Sequence, residues 1–484
     1  MTTPSPWRPG PKTTSRPAKF RAAATLTALV LLAGSCTQGG GGKPLASVNV
    51  ESGSPGRQVP ASFLGFGFEY DDILNFTGHG SAPDPELIRL LRQLARPDAG
   101  PLSIRVGGNS TDDSLWDPEQ SAAPPGVGYT FGQEWLDSVS ALARALDTRV
   151  ILGVNLRVND ASAAARWAAA AQAAFDHPVV FEVGNEPNYY AEPRRIRPAG
   201  YSLDDYAREY SSHVRAIRSK LGPNARFAGP AVLSAPWMAG LGRFLDNESG
   251  LIDAVTYHQY PLSVCGKKPG SPDYPTTSQL LSDSATHGVA SEARPFAAQA
   301  HSAGLSFRVD EVNSVVCLGA DGVSNTFASA LWLVDLLFEY VAAGVDGVNL
   351  QTITRAHYTP FRPDVSGWDV RPEFQALQLI VEAFAGRASL LPVTVKADGN
   401  VKAWATLDHD GVIRVIVVDK ESRGGRVTIA IPGRRAAGRL VRLDGATPAA
   451  RQAVLTSRST ISPERGIYAI DFNHAGAALL TVPD

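Results

Sequence analysis

Short apolar runs alternate with longer stretches of helical period from about residue 63 to about residue 386. The β-like runs fall at 63–69, 102–107, 150–155, 179–183, 226–231, 254–260, 306–311 and 347–352. Between them the apolar positions recur with a 3.6-residue period, most clearly at 85–94, 134–146, 161–175, 203–221, 294–303 and 324–343, and a last such stretch lies at 373–385. Eight strands alternating with helices predict an α/β fold, a (β/α)8 TIM barrel. A doubly wound open sheet is the alternative, and it wants a glycine-rich phosphate turn after its first strand. Here that strand ends Gly67-Phe68-Glu69-Tyr70-Asp71, with no such turn.

Beyond about residue 389 the period drops to two and the long helices disappear. Alternating runs at 401–407, 412–418, 426–431, 438–443, 466–472 and 477–482 are separated by Asp/Gly turns. They predict a C-terminal antiparallel β-sandwich. The strand-like segment 45–60, ahead of the barrel, is expected to join it. The expected organisation is therefore a leader (1–35), a tether (36–44), the strand segment (45–60), the barrel (61–388) and the sandwich (389–484).

The N-terminus changes the picture of charge. Five Lys/Arg residues and no acid precede an apolar stretch at 22–32, and the first acidic residue is Glu51. This is the layout of a bacterial export signal. It ends in Leu32-Ala33-Gly34-Ser35-Cys36, which resembles a lipoprotein processing box, so Cys36 is expected to carry the lipid. Gly39 to Gly42 then reads as a flexible spacer. Removing the leader leaves 40 basic against 47 acidic residues, a net of −7, with no basic stripe to bind nucleic acid. The expected location is the outer face of the membrane, held only by the lipid, or the medium. Cys265 and Cys317 remain, and an exported chain favours their pairing.

Two carboxylates carry the candidate chemistry. The run at 179–183 breaks into Gly184-Asn185-Glu186-Pro187, and the run at 306–311 ends Asp310-Glu311. On a barrel these are the carboxyl-terminal ends of strands four and seven, which face each other across the mouth. Two carboxyl groups there can flank a glycosidic bond, one protonating the leaving oxygen and one attacking the anomeric carbon. Glu186 is the candidate acid/base and Glu311 the candidate nucleophile, with Asp310 an adjacent rival. Asn185 is placed to hydrogen-bond a sugar 2-hydroxyl. No G-x-S-x-G, H-E-x-x-H or C-x-x-C motif supports a serine hydrolase or a zinc site. Two-carboxylate catalysis needs no metal or cofactor, and none is expected.

Val183-Gly184-Asn185-Glu186-Pro187 and Asp310-Glu311-Val312-Asn313-Ser314 resemble the acid/base and nucleophile motifs of glycoside hydrolase family 79. That family includes heparanase and microbial β-glucuronidases. The segments 104–112 and 322–332 are similar to its strand-two motif and to the helix after its nucleophile. The resemblance implies a retaining β-glucuronidase acting on a uronic-acid-containing glycan or glucuronide. It also implies sugar contacts from Glu69, Asp71, Asn109, His258, Tyr260 and Tyr358, with Tyr260 bonding the nucleophile and Tyr358 near the uronate carboxylate. Arg105 is expected to orient a catalytic carboxylate or to pair with Glu182. Tyr189, Tyr190, Trp116 and Trp368 are candidate stacking surfaces for a leaving group. The chain departs from the family after the nucleophile, where Ser314-Val315-Val316-Cys317-Leu318-Gly319 replaces a Tyr or Gly-rich stretch, and no Lys or Arg is an obvious counter-ion. The alternatives are another retaining β-glycosidase, an endo-acting heparanase-like enzyme, and an inactive surface glycan-binding lipoprotein.

Overall fold

The computed structural model describes residues 44–484 apart from 52, 97, 120–122, 249, 422, 423, 457 and 458. The export leader, Cys36 and the glycine spacer lie outside the described residues. Eight parallel strands close a barrel: β1 (Gly65–Glu69), β2 (Ser103–Gly107), β3 (Arg149–Val154), β4 (Val180–Val183), β5 (Arg226–Val232), β6 (Ala254–Gln259), β7 (Ser306–Val312) and β8 (Gly347–Gln351). Each pairs with its neighbour in chain order, and β8 closes onto β1 through Leu350 against Phe66. Their residues are buried on both faces, which is why they read as short apolar runs rather than as alternation.

The helix Phe327–Ala343 is buried on nearly every side. One side packs on the barrel and the other meets the C-terminal domain. Its first amides, Phe327 and Ala328, donate to the carbonyls of Ala450 and Pro448 at 2.7 Å, which satisfies donors that a helix start leaves open. Lys420 reaches Asp335 of this helix at 2.5 Å with both side chains fully buried, and Trp404 Nε1 donates to the same carboxylate at 2.9 Å. An ion pair this dry fixes the seating of the domain more than it adds net stability.

The C-terminal domain is two sheets facing one another across an apolar core that includes Val48, Val415, Val427 and Leu480. The strand Pro44–Val50 does join it, lying between Val393–Ala397 and Gly425–Ala430. Its pairing with Gly425–Ala430 is parallel, so this one ladder departs from the antiparallel pattern. A strand brought in from the far side of the barrel is free of the hairpin connection that forces antiparallel pairing. Among the described residues no helix is long and apolar enough to cross a membrane.

Candidate active site

Strand alternation sends Arg105, Glu182, His258 and Asp310 into the barrel, where all are at most 1% exposed. Arg105 is their hub. Its Nε donates to Glu182 Oε2 at 2.8 Å and stands 3.1 Å from Asp310 Oδ2. Its Nη1 donates to Glu311 Oε2 at 2.9 Å, and its Nη2 to Asn185 Oδ1 at 2.9 Å. Arg105 thus contacts Glu182 and Glu311 at once through one five-donor fork, so the pairing with Glu182 and the contact with a candidate catalytic carboxylate do not compete.

Glu186 and Glu311 come together with His258 between them. The three bring one side-chain ligand atom apiece within 4.8 Å of the others. His258 Nδ1 lies 3.0 Å from Glu186 Oε1 and 3.9 Å from Glu311 Oε2. Tyr260 donates its hydroxyl to Glu311 Oε1 at 2.9 Å. Burial alone would raise the Glu311 carboxyl, but the His258 and Arg105 charges and the Tyr260 hydroxyl hold it below the usual glutamate range. Burial pushes His258 down, yet Glu311 and the bond to Glu186 outweigh it and carry its pKa up to about 9.

The turn that delivers Glu186 is strained. Glu186 has φ 49° and ψ 55°, a left-handed conformation that costs a non-glycine residue about 1 kcal/mol or more. Its amide donates to Ala231 O at 2.8 Å, and Gly184 two residues earlier also has positive φ. The backbone is bent to aim one carboxylate, as sites that need pre-organisation often are. Asn185 spends its oxygen on Arg105, while its buried Nδ2 has no protein partner among the described residues.

The remaining expected residues divide between floor and rim. Glu69 is buried and accepts from the amides of Asn109 (3.2 Å) and Ser110 (2.7 Å) and from Gln351 Nε2 (3.1 Å). Gly108 has φ 74°, and a Cβ there would meet Glu69 Oε1 at 2.3 Å, so the loop closes on this carboxyl only through glycine. Burial first, then the Glu311 charge, push Glu69 up to about 7. Asp71 and Asn109 stand exposed at the rim. Tyr358 is buried with its ring centroid 6.2 Å from that of Tyr260. Cys265 and Cys317 are disulfide-bonded, with their Cα atoms 5.4 Å apart, which ties the loop after β6 to the loop after β7.

Three expected stacking residues are placed otherwise. Tyr190 is fully buried and donates its hydroxyl to Asp112 at 2.6 Å, so it anchors the Glu186 loop instead of meeting a ligand. Trp116 packs against Trp167 and Phe131, and Trp368 against Phe76 and Phe361. A lone aromatic in a loop carries no signal of which way it faces. Tyr189 is half-buried and close enough to Glu186 for their charges to couple.

Two features escaped the sequence reading. Arg355, on the loop after β8, is exposed, and its charge lowers both Asp71 and Tyr358 against the rise that burial causes. No hydrogen bond or ion pair within 4 Å engages it among the described residues. A cavity of about 490 Å³ also opens beside β5 and β6, lined by Ser234, Tyr257, His258, Gln259, Tyr260 and Glu292 among others. The triads Glu182–His258–Asp310 and Glu186–His258–Glu311 have metal-like spacing. The Arg105 guanidinium stands within 3.3 Å of four of these five groups, so a cation already fills the position a divalent ion would take.

A parallel eight-stranded barrel with two glutamates at the ends of β4 and β7 is the architecture of barrel glycosidases. No family model matches the chain. Among solved structures, the chain is similar to a 4-O-α-L-rhamnosyl-β-D-glucuronidase from Fusarium oxysporum, with TM-score 0.72 and 20% identity over 90% of this chain and 100% of that one. It is also similar in fold to a family 51 arabinofuranosidase from Xanthomonas axonopodis, with TM-score 0.66 and 14% identity over 90% and 99% of the two chains. In sequence it is 25% identical to a β-glucuronidase of Aspergillus niger over 337 residues, 62% of this chain and 60% of that protein. A Neurospora crassa β-glucuronidase is 24% identical over 355 residues, 65% and 61% of the two. The chain thus spans about 60% of the length of the curated relatives it matches. These matches agree with the resemblance carried by the two glutamate motifs: in sequence the chain is similar to β-glucuronidases, and it shares its fold with barrel glycosidases.

Proposed function

We propose that the protein is a retaining exo-β-glucuronidase. The observation that carries this reading is the short gap between the carboxylates, with an oxygen of Glu186 and one of Glu311 within 4.8 Å. Retaining enzymes hold the two groups about 5–5.5 Å apart, whereas inverting ones leave about 6.5–9.5 Å for a water. Glu311, kept ionised by His258 and Arg105, attacks the anomeric carbon while Glu186 gives its proton to the leaving oxygen. The glycosyl ester on Glu311 is then hydrolysed by a water that Glu186 deprotonates. Tyr260 and Arg105 hold one oxygen each of Glu311 and so fix its line of attack. Asn185 Nδ2 takes the sugar 2-hydroxyl, and the cavity beside β5 and β6 takes the leaving group.

The glucuronate preference is supported by the relatives and by Arg355. Arg355, whose charge is felt by Asp71 and Tyr358, is assigned as the uronate counter-ion in this reading. Exo action and the lipid on Cys36 belong to the same proposal. Blocking lipoprotein signal processing in the native host should make the precursor accumulate. Unaltered maturation would remove the anchor.

The decisive assay gives the purified protein aryl β-glucuronide, β-glucoside and β-galactoside. Turnover of the glucuronide is expected. Glucoside turnover alone would leave a retaining glycosidase of other specificity. Glycan binding with no hydrolysis of any of the three would sink the enzyme reading for such substrates.

A further inference from the structure

The loop after β2 carries a buried carboxylate that the mechanism above does not use. Asp112 is 0% exposed, and its hydrogen-bond partners come from two other loops. Its Oδ1 accepts from the Leu156 amide, just beyond β3, at 2.9 Å. Its Oδ2 accepts from the Asn185 amide at 3.2 Å, the Tyr190 hydroxyl at 2.6 Å and Arg194 Nη1 at 3.2 Å. Three of these four donors belong to the segment that delivers Glu186. Arg194 is also the cation that compensates the buried charge.

The turn into Glu186 has three successive amides to satisfy. Gly184 donates to Val154 O on β3 and Glu186 to Ala231 O on β5, both at 2.8 Å. The middle amide, of Asn185, is instead taken by side chains, Asp112 Oδ2 at 3.2 Å and Tyr190 Oη at 3.3 Å. Tyr190 Oη also covers Gly184, where a Cβ would stand 2.6 Å from it. Arg194 carries the brace outward, its Nη1 reaching Asn185 O at 3.4 Å and its Nη2 bonding Asn109 Oδ1. A glutamate does not choose a left-handed conformation unaided, so its surroundings must impose it. We propose that Asp112 is a positioning residue for the acid/base, holding through Asn185 and Tyr190 the turn that aims Glu186 at the leaving oxygen. Glu311 is held separately, by Arg105 Nη1 and Tyr260. Loss of Asp112 therefore weakens protonation of the leaving group more than nucleophilic attack.

The catalytic consequence rests on the retaining-glycosidase reading, whereas the brace itself does not. A leaving group that departs without a proton separates the two halves of the first step. For Asp112→Ala, kcat/KM on phenyl β-glucuronide should fall ~100-fold or more, and on 2,4-dinitrophenyl β-glucuronide by less than ~10-fold. Tyr190→Phe removes one hydroxyl and keeps the ring. It should show the same split at smaller size, and it carries the test should Asp112→Ala not fold. Equal fold-losses on the two substrates, or no loss on either, would overturn the positioning role. Amide hydrogen exchange read by mass spectrometry tests the brace without any substrate. Residues 181–190 should exchange faster in the variants than in the unaltered protein, with residues 306–314 unchanged. No change at 181–190, or an equal rise in both segments, would overturn the brace. Failure of the unaltered protein to hydrolyse either glucuronide or the matching glucosides would sink the glycosidase reading and leave the exchange result standing.

Discussion

The floor of the barrel mouth and its rim obey different physics. On the floor, Arg105, Glu182, His258 and Asp310 are essentially sealed from water, and each carboxylate or ring answers to a named neighbour. At the rim, Asp71, Asn109 and Arg355 are exposed, and the charges of Asp71 and Arg355 are softened by solvent. A dry network fixes geometry and protonation at the cost of leaving nothing spare. A wet rim can change what it binds without unsettling the fold. The proposed function accordingly assigns the chemistry to the floor and substrate choice to the rim.

The largest test of that division is Glu311→Ala, which should cut kcat by ~10⁴-fold or more. Azide should restore turnover as a glycosyl azide of inverted configuration. Activity that survives without azide would point to Asp310 as the nucleophile and redraw the floor. Next comes Arg105→Ala. Breaking a buried pair strands its partners, so a loss of ~3–5 kcal/mol of stability is expected along with at least ~100-fold in kcat. Arg105→Lys should recover little, since one ammonium cannot serve Glu182, Glu311 and Asn185 together. Denaturant unfolding and steady-state kinetics read both effects.

At the rim, Arg355→Ala should raise KM for an aryl glucuronide by roughly tenfold and leave kcat and folding nearly unchanged. An equal effect on the glucoside would place Arg355 outside uronate recognition. A last effect, on stability and not on turnover, belongs to Glu69, which joins floor to rim. Its pKa is raised to about 7 in the folded chain, so the native state holds this proton more tightly than the unfolded one. Its contribution is fully present below the unfolded value near 4.5 and is lost as pH rises through 7. Glu69→Gln should flatten that fall, worth ~3 kcal/mol at most, in melting curves from pH 4 to 8.

The same division explains what the sequence made legible. Every barrel strand shows as an apolar run because both its faces are buried, and Glu186 and Glu311 stand out because charges interrupt those runs at their ends. Arg105 and Glu182 are visible for the same reason, as charges set inside apolar strands. Tyr190 misleads because nothing local records that its hydroxyl reaches Asp112, which is 78 residues away. Arg355 was missed because its value lies in standing near Asp71 and Tyr358, a property of the closed barrel and not of its own loop.

The account turns on Glu186 and Glu311 being close enough for double displacement. The most direct measurement follows the anomeric proton of the sugar by NMR during the first moments of aryl β-glucuronide hydrolysis, before mutarotation. Release of the β-anomer first is the expected result. Release of the α-anomer first would show inversion and contradict the proposed roles of both glutamates.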